Sequence, residues 1–392
     1  MPGQKDIDVV IYGATGYTGQ LVAEYMAQNY ASAASPVWAL AGRNRDKLAQ
    51  VRDAVGAPAA TPLVVADAGD PASLKAMAAR ARVVLTTVGP YTHYGEPLVA
   101  ACVEAGTDYV DLCGEVLWMR RMIEAYDDKA KASGARIVFS CGFDSIPFDM
   151  GVYFLQQEAK ARFGQVMPRI KGRMRAMQGT FSGGTAASGR ATMEALEKDR
   201  SLFTTLISPF GLTPGHEGAE QPTGLEIAED PAVGGWVAPF FMAPINTKNV
   251  HRSNYLMGAA YGADFVYDEM MVTGPGEQGR AMAEAIASAN PMGGEGGPKP
   301  GEGPSKQERE AGFYDVLFVG EAPEGRSLRV GVTGDKDPGY GSTSKIITEC
   351  ALCLIEDVPT REGGILTPAP AFGDAIIKRL QERAGLTFTV EG

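Results

Sequence analysis

Histidine, tryptophan and cysteine are scarce in this chain, at 3, 3 and 5 of 392 residues. Cys102, Cys113, Cys141, Cys350 and Cys353 are odd in number and fall in segments that read as core, which excludes a secreted disulfide scaffold and fits reduced thiols in a reducing compartment. Cys350 and Cys353 form a CxxC, yet no second CxxC or nearby histidine supplies further ligands, so core packing is expected there and a metal is not. Positive charge is also short: 36 Lys and Arg against 47 Asp and Glu leave a net charge of −11, which argues against nucleic acid or anionic lipid as a partner. The opening MPGQKDIDVV has no apolar signal core, and no apolar run is long enough to span a bilayer. The expectation is a cytoplasmic protein with no integral membrane segment, long enough for two domains.

Glycine, by contrast, is plentiful, and three of the 49 are spaced in DVVIYGATGYTGQ, from Asp8 to Gln20. Val9–Tyr12 reads as a strand covered on both faces. Gly13 then allows a tight exit, Gly16 lets backbone amides approach a pyrophosphate, and Gly19 lets the next helix pack on the sheet. Thr15, Tyr17 and Thr18 complete the phosphate turn, whose helix N-terminus favours negative charge. The spacing is G-x-x-G-x-x-G, not the plain G-x-G-x-x-G, so its weight comes from the β-α-β context. The second strand, Val37–Ala41, runs into Gly42-Arg43-Asn44, placing a guanidinium where an NAD site would carry an acid. Arg43 can pair with a 2′-phosphate, so the expected cofactor is NADP.

Beyond it the same alternation continues. Strands are expected at Leu63–Ala66, Val83–Val88, Tyr109–Leu112 and Ile137–Ser140, with helices at Tyr17–Tyr30, Asn44–Val55, Pro71–Ala79, Glu96–Glu104 and Trp118–Ser133 between them. This is an α/β pattern, a Rossmann-type doubly wound parallel sheet. Asp67 follows the third strand and can reach the adenine edge; Gly89 and Pro90 follow the fourth and Cys141 the sixth, all on the carboxyl edge where a dinucleotide lies.

After Pro147 the composition changes. Pro168–Met177, Thr223–Ile227, Phe313–Val319 and Ser327–Val332 read as strands of a second, antiparallel sheet. SGGTAASG reads as a cap for a helix beginning near Ser188, or as a second phosphate cradle. Asn290–Ser305 is rich in glycine and proline and reads as a loop, either a lid or a plain insertion. A Ser342–Glu356 helix follows, then a helix at Ala371–Ala384 and a strand at Leu386–Val390 that return to the first domain. The expected division is a cofactor domain of residues 1–147 and 350–392 and an inserted α+β substrate domain of residues 148–349.

GATGYTG, AGRN, VGPYTHYGEPLVAAC, YVDLCGE, CGFDSIPFD and APFFMAPINTKNVHRSNYLMG together resemble the saccharopine dehydrogenase-like family, in its branch of trans-acting enoyl reductases. The resemblance spans nearly the whole chain. It implies an NADP-dependent oxidoreductase reducing an enoyl, imine or carbonyl group on a small-molecule or acyl-thioester substrate, in a chain that can be a homodimer. Phe240, Phe241 and Met242 suit an apolar acyl chain or plain core; Arg173, Arg175, Arg190 and Arg252 show no recognisable clamp for an amino-acid adduct with several carboxylates. That adduct, as in a saccharopine reductase, and a non-catalytic dinucleotide-binding scaffold are the other readings. Enoyl reduction needs a proton donor and a group to hold the enolate oxygen. The candidates at the sheet edge are Tyr91, His93, Tyr94, Asp144 and Ser145, with His93 equally readable as a helix cap.

Overall fold

The computed structural model describes residues 5–30, 36–179, 183–289, 303–360 and 362–391. Strands β1 (Ile7–Tyr12), β2 (Trp38–Gly42), β3 (Leu63–Val65), β4 (Ala81–Thr86), β5 (Asp108–Val110) and β6 (Arg136–Val138) form a parallel sheet in the order β3-β2-β1-β4-β5-β6. The apolar runs of β1 and β2 are buried on both faces, as a sheet covered by helices on each side requires. Strand order reverses between β1 and β4, and that switch point opens a crevice at the carboxyl ends of the two central strands.

The second sheet uses β7 (Arg169–Gln178), β8 (Ala228–Asp230), β9 (Gly235–Pro239), β10 (Val266–Gly274), β11 (Phe313–Glu321) and β12 (Ser327–Gly334). Their order is β12-β11-β7-β10-β9-β8, antiparallel at every pairing except β7 with β10. The strand expected at Thr223–Ile227 is irregular chain: Gly224 sits at φ +64°, which an extended strand cannot hold, and pairing begins only at Ala228.

The chain then returns to the first sheet through β13 (Gly364–Leu366), which extends it in parallel beside β6. The terminal strand β14 (Leu386–Val390), expected to do this, pairs instead with β12 in the second sheet. Its sequence explains the choice: Leu386 and Phe388 are buried and Thr387 and Thr389 exposed, an alternation for a sheet with one wet face and not for a strand buried on both. The helix expected at Ala371–Ala384 is broken by Gly373 at φ +58° into Pro368–Phe372 and Asp374–Arg379, the latter continuing as a π-turn over Leu380–Ala384.

Three buried helices join the sheets. Thr343–Glu356 packs on the helix Tyr17–Asn29 and on β4, and Cys350 and Cys353 lie fully buried in it. Ile146–Phe163 lies against β11, β12 and the helix Ala243–Leu256. Ser253 Oγ of the last donates to Asp149 Oδ2 at 2.8 Å, and Ala369 N donates to the same oxygen at 2.8 Å. The helix expected near Ser188 begins earlier and spans Gly183–Lys198, so Ser188 is internal to it and not its cap. Residues 290–302 of the glycine- and proline-rich stretch lie outside the described residues; Ser305, at its end, closes a capping box with Glu308 on the helix Lys306–Ala311.

Candidate active site

The turn after β1 is shaped by its own glycines. Gly13 has φ +91°, and a Cβ there would sit 2.7 Å from Val88 Cγ2; one on Gly19 would sit 2.2 Å from Gly13 O. Gly16 differs. It is exposed, at φ −77°, and a Cβ there would meet only Gly13 O, at 3.3 Å. As N-cap of the helix Tyr17–Asn29 it offers no side-chain cap, and no acidic residue occupies the first turn. The first-turn amides therefore face outward with a favourable dipole, which is the chemistry a diphosphate requires. Thr15 and Thr18 flank this opening, half-buried. Tyr17 turns its side chain away: the hydroxyl donates to Pro304 O and accepts from Arg309 Nη1 at 2.5 Å, and the ring meets Tyr340 edge-on at 4.7 Å.

At the far end of the turn, Arg43 is exposed, and no carboxylate pairs with it among the described residues. Burial pushes the Tyr12 phenol up to about 12; Asp67 adds to this and Arg43 opposes it, so the three groups share the corner where β1, β2 and β3 end. Asn44 Oδ1 accepts from Lys47 N at 2.9 Å as a helix cap, and Asp67 Oδ1 accepts from Gly69 N at 2.9 Å. Open amides at one end and an unpaired guanidinium at the other fit a dinucleotide with a 2′-phosphate.

Past β4, Gly89 and Pro90 lead into the short helix Tyr91–Tyr94. Its N-terminus is held by a carboxylate that sequence reasoning quoted without assigning a role. Glu115 is 2% exposed; Oε1 accepts from Tyr91 N at 2.8 Å, and Oε2 accepts from Thr92 N at 2.7 Å and from the Thr92 hydroxyl. Ser188, on the helix Gly183–Lys198, donates to Oε1 at 2.7 Å. A lone acid among apolar residues, three before Trp118, is the signal in the sequence that a buried carboxylate must find donors.

The five candidate catalytic residues separate. Tyr91 is buried, its hydroxyl accepting from Leu112 N at 3.1 Å and donating to Thr86 O at 3.5 Å. Ser145 is fully buried, and its Oγ accepts from Asn249 Nδ2 at 2.9 Å. His93 and Tyr94 are exposed on the short helix, rings 6.0 Å apart. Asp144, after β6, is half-buried, with Oδ2 3.9 Å from where a Cβ on Gly114 would sit, and desolvation pushes its carboxyl up to about 7. No hydrogen bond or ion pair holds the Asp144 carboxyl among the described residues. Cys141 is fully buried, its thiol toward Val138 O at 3.5 Å, which leaves only its backbone for a ligand.

The arginines of the second half are already committed. Arg173 pairs with Asp230 at 2.7 Å and Asp268 at 2.9 Å, and Arg175 pairs with Asp315 and Glu391 at 2.6 Å each. Arg252 donates to Leu212 O and Ile365 O at 2.7 Å each, while Arg190 is exposed. Phe240 and Met242 are core residues, and Phe241 is half-buried against Phe240 at 4.9 Å.

Comparison with known proteins agrees with this geometry. The family described as the saccharopine dehydrogenase NADP binding domain matches residues 9–138. A Mycobacterium tuberculosis chain provisionally named a trans-acting enoyl reductase is 42% identical over 405 residues, covering 96% of this chain and 96% of that one. A trans-acting enoyl reductase of Mycobacterium ulcerans is 38% identical over 413 residues, covering 97% and 96%. Saccharopine dehydrogenase (L-Glu forming) from Saccharomyces cerevisiae shares the fold at TM-score 0.52 and 12% identity, over 98% of this chain and 100% of that one. The chain therefore belongs to the saccharopine dehydrogenase-like family, in its trans-acting enoyl reductase branch, and is an NADP-dependent oxidoreductase.

Proposed function

We propose that this oxidoreductase saturates the α,β-double bond of an apolar acyl thioester, with Asp144 as proton donor. The observation that carries the reading is the Asp144 carboxyl: unpartnered among the described residues, on the cofactor edge, and pushed up to about 7 by burial. An acid kept protonated near neutrality is suited to give a proton to the α-carbon. Bound along the β1 turn, NADPH would supply the hydride that the β-carbon receives. Amides of Thr15, Tyr17, Thr18 and Gly19 would hold its diphosphate; those of Gly13 and Gly16 are spent on Ala41 O and Gly13 O, so these two glycines serve by letting it approach. Arg43 would hold its 2′-phosphate, Asn44 and Asp67 its adenosine, and Gly89, Pro90 and the Cys141 backbone its remaining length.

His93 and Tyr94 would present donors to the enolate oxygen from a helix that Glu115 fixes through two backbone amides. Tyr91 and Ser145, with hydroxyls already engaged, act as struts. An amino-acid adduct with several carboxylates is less well served, because Arg173 and Arg175 are neutralised by their own acids. The relatives named trans-acting enoyl reductase support the enoyl group as target.

The domain division also belongs to this proposal: the helix Thr343–Glu356 packs on the cofactor sheet, so the boundary falls before it, and β14 goes with the substrate domain. No helix among the described residues is long and apolar enough to cross a membrane. Five buried free thiols support a cytoplasmic location, and the open edge of β14 offers a homodimer contact.

Asp144→Asn tests the assignment. Wild-type turnover should fall as pH rises through about 7, as the acid loses its proton, while the variant should lose roughly 100-fold or more and be flat across that range, with NADPH binding retained. A variant with the wild-type rate and profile removes Asp144 from the chemistry.

A further inference from the structure

The helix Ala243–Leu256 buries two cations with no ion-paired carboxylate among the described residues: Lys248 is 3% exposed and Arg252 2%. Arg252 is satisfied by its two carbonyls. Lys248 is not: its Nζ donates to Pro244 O at 2.8 Å, one turn back in its own helix, and the other ammonium donors have no partner among the described residues. Three residues on, His251 lies on the same face, 4% exposed, and its Nε2 has no hydrogen-bond partner among the described residues. Burial, with Lys248 and His216 nearby, holds that imidazole down at about 3. The loop 208–216 closes on the pair. Phe210 meets the His251 ring at 4.9 Å, and a Cβ on Gly211 would sit 3.3 Å from Lys248 Cε.

A buried ammonium without a counter-charge is costly, and packing does not call for it, since methionine would fill the same volume. The nearest acid acting on Arg252, Asp127, is spent on Lys131 at 2.6 Å and on Ile365 N at 2.7 Å. Arg120, whose charge is paired with Glu124 at 2.6 Å, donates Nη1 to Gly211 O at 3.0 Å and so braces the loop over the pair. A buried ammonium with spare donors beside an imidazole nitrogen free to donate is the composition of an anion site. We infer that Lys248 Nζ and His251 Nε2 form a binding site for one oxyanion, a phosphate ester or a carboxylate, between the helix Ala243–Leu256 and the loop 208–216.

The helix Leu202–Ile207, which leads into that loop, buries no residue of its own, whereas Leu212 and Thr213 anchor the loop's far half, so access to the pair is from the side of that helix. The next residue along, Asn249, donates to Ser145 beside Asp144. The same helix thus carries the site on one face and reaches the turn of the proposed proton donor with another, and the oxyanion is assigned to the substrate; that last step rests on the function proposed above, whereas the binding site itself does not.

The test uses the full chain saturated with NADP+, which occupies the amides of the β1 turn and Arg43. Inorganic phosphate and acetate are titrated separately by calorimetry, and the imidazole nitrogen signals are followed by NMR, where three histidines keep His251 resolvable. At least one ion is expected to bind, to shift the His251 signal in the wild type, and to bind at least tenfold more weakly to Lys248→Met. Phosphate alone identifies a phosphate ester, and acetate alone a carboxylate. An unmoved His251 signal with both ions, or a folded Lys248→Met that binds as tightly as wild type, overturns the inference. The NMR arm decides the question without any variant. Loss of the Asp144 assignment would leave this result untouched, which separates the two failures.

Discussion

Ser188 donates to Glu115 at 2.7 Å, and that bond ties the helix Gly183–Lys198 to the loop after β5 beside the cofactor edge. The same carboxylate receives the Tyr91 and Thr92 amides, so one buried side chain fixes both the helix carrying His93 and Tyr94 and the helix lying over it.

Two substitutions should therefore differ in severity. Ser188→Ala removes one donor and should cost about 1 kcal/mol of stability while raising KM. Glu115→Gln turns an amide N–H toward a backbone N–H and should cost about 3 kcal/mol, with kcat falling as well. Thermal unfolding and steady-state kinetics read both; equal effects would mean Ser188 and the amides do not share the carboxylate.

Two glycines of the turn, Gly19 and Gly16, should also separate. Gly19→Ala puts a Cβ into Gly13 O and should lower Tm and abolish binding of either coenzyme. Gly16→Ala leaves the fold intact, because its Cβ meets only Gly13 O at 3.3 Å, and should weaken NADPH by obstructing the diphosphate. Calorimetry beside thermal unfolding distinguishes lost binding from lost structure.

Arg43→Ala should weaken NADPH by roughly 10–100-fold, the value of a charge-assisted contact of about 1.5–3 kcal/mol, and leave NADH nearly unchanged. Equal loss for both coenzymes would show that the guanidinium does not read the 2′-phosphate.

Asp149 is fully buried, and desolvation pushes its carboxyl up to about 7 from an ordinary 3.8. Between those values the folded state holds the proton that the unfolded state has released. Its contribution is therefore complete below about 4 and lost as pH rises through about 7. Asp149→Asn should flatten this part of the stability–pH curve, by roughly 4 kcal/mol or less. A wild-type slope in the variant assigns it to another buried acid, such as Asp111 or Glu269.

The cofactor half was legible because each of its signals is local. β1 is a continuous apolar run, the glycine spacing follows it directly, and Arg43 sits at the next strand end. The helix Ile146–Phe163 escaped because its first ten residues are apolar on every side save Asp149 and its polar residues gather in the last turns, which leaves no amphipathic stripe along its length. The helix Ala243–Leu256 escaped for the opposite reason. It buries Asn246, Lys248, Asn249, His251, Arg252 and Ser253, residue types that ordinarily mark a surface. Glu115 and Ser188 lie 73 residues apart, and nothing in either local sequence names its partner. The destination of β14, by contrast, was written in its Thr/Leu/Phe alternation, and the expected return to the first sheet passed over it.

The central claim is tested most directly by incubating the enzyme with NADPH deuterated at the transferring position and an apolar α,β-unsaturated acyl thioester, then locating the label by mass spectrometry and NMR. The account predicts deuterium on the β-carbon and a solvent-derived proton on the α-carbon of a saturated thioester. Deuterium on a carbonyl carbon, or NADPH that binds but transfers nothing to any enoyl thioester offered, would contradict it.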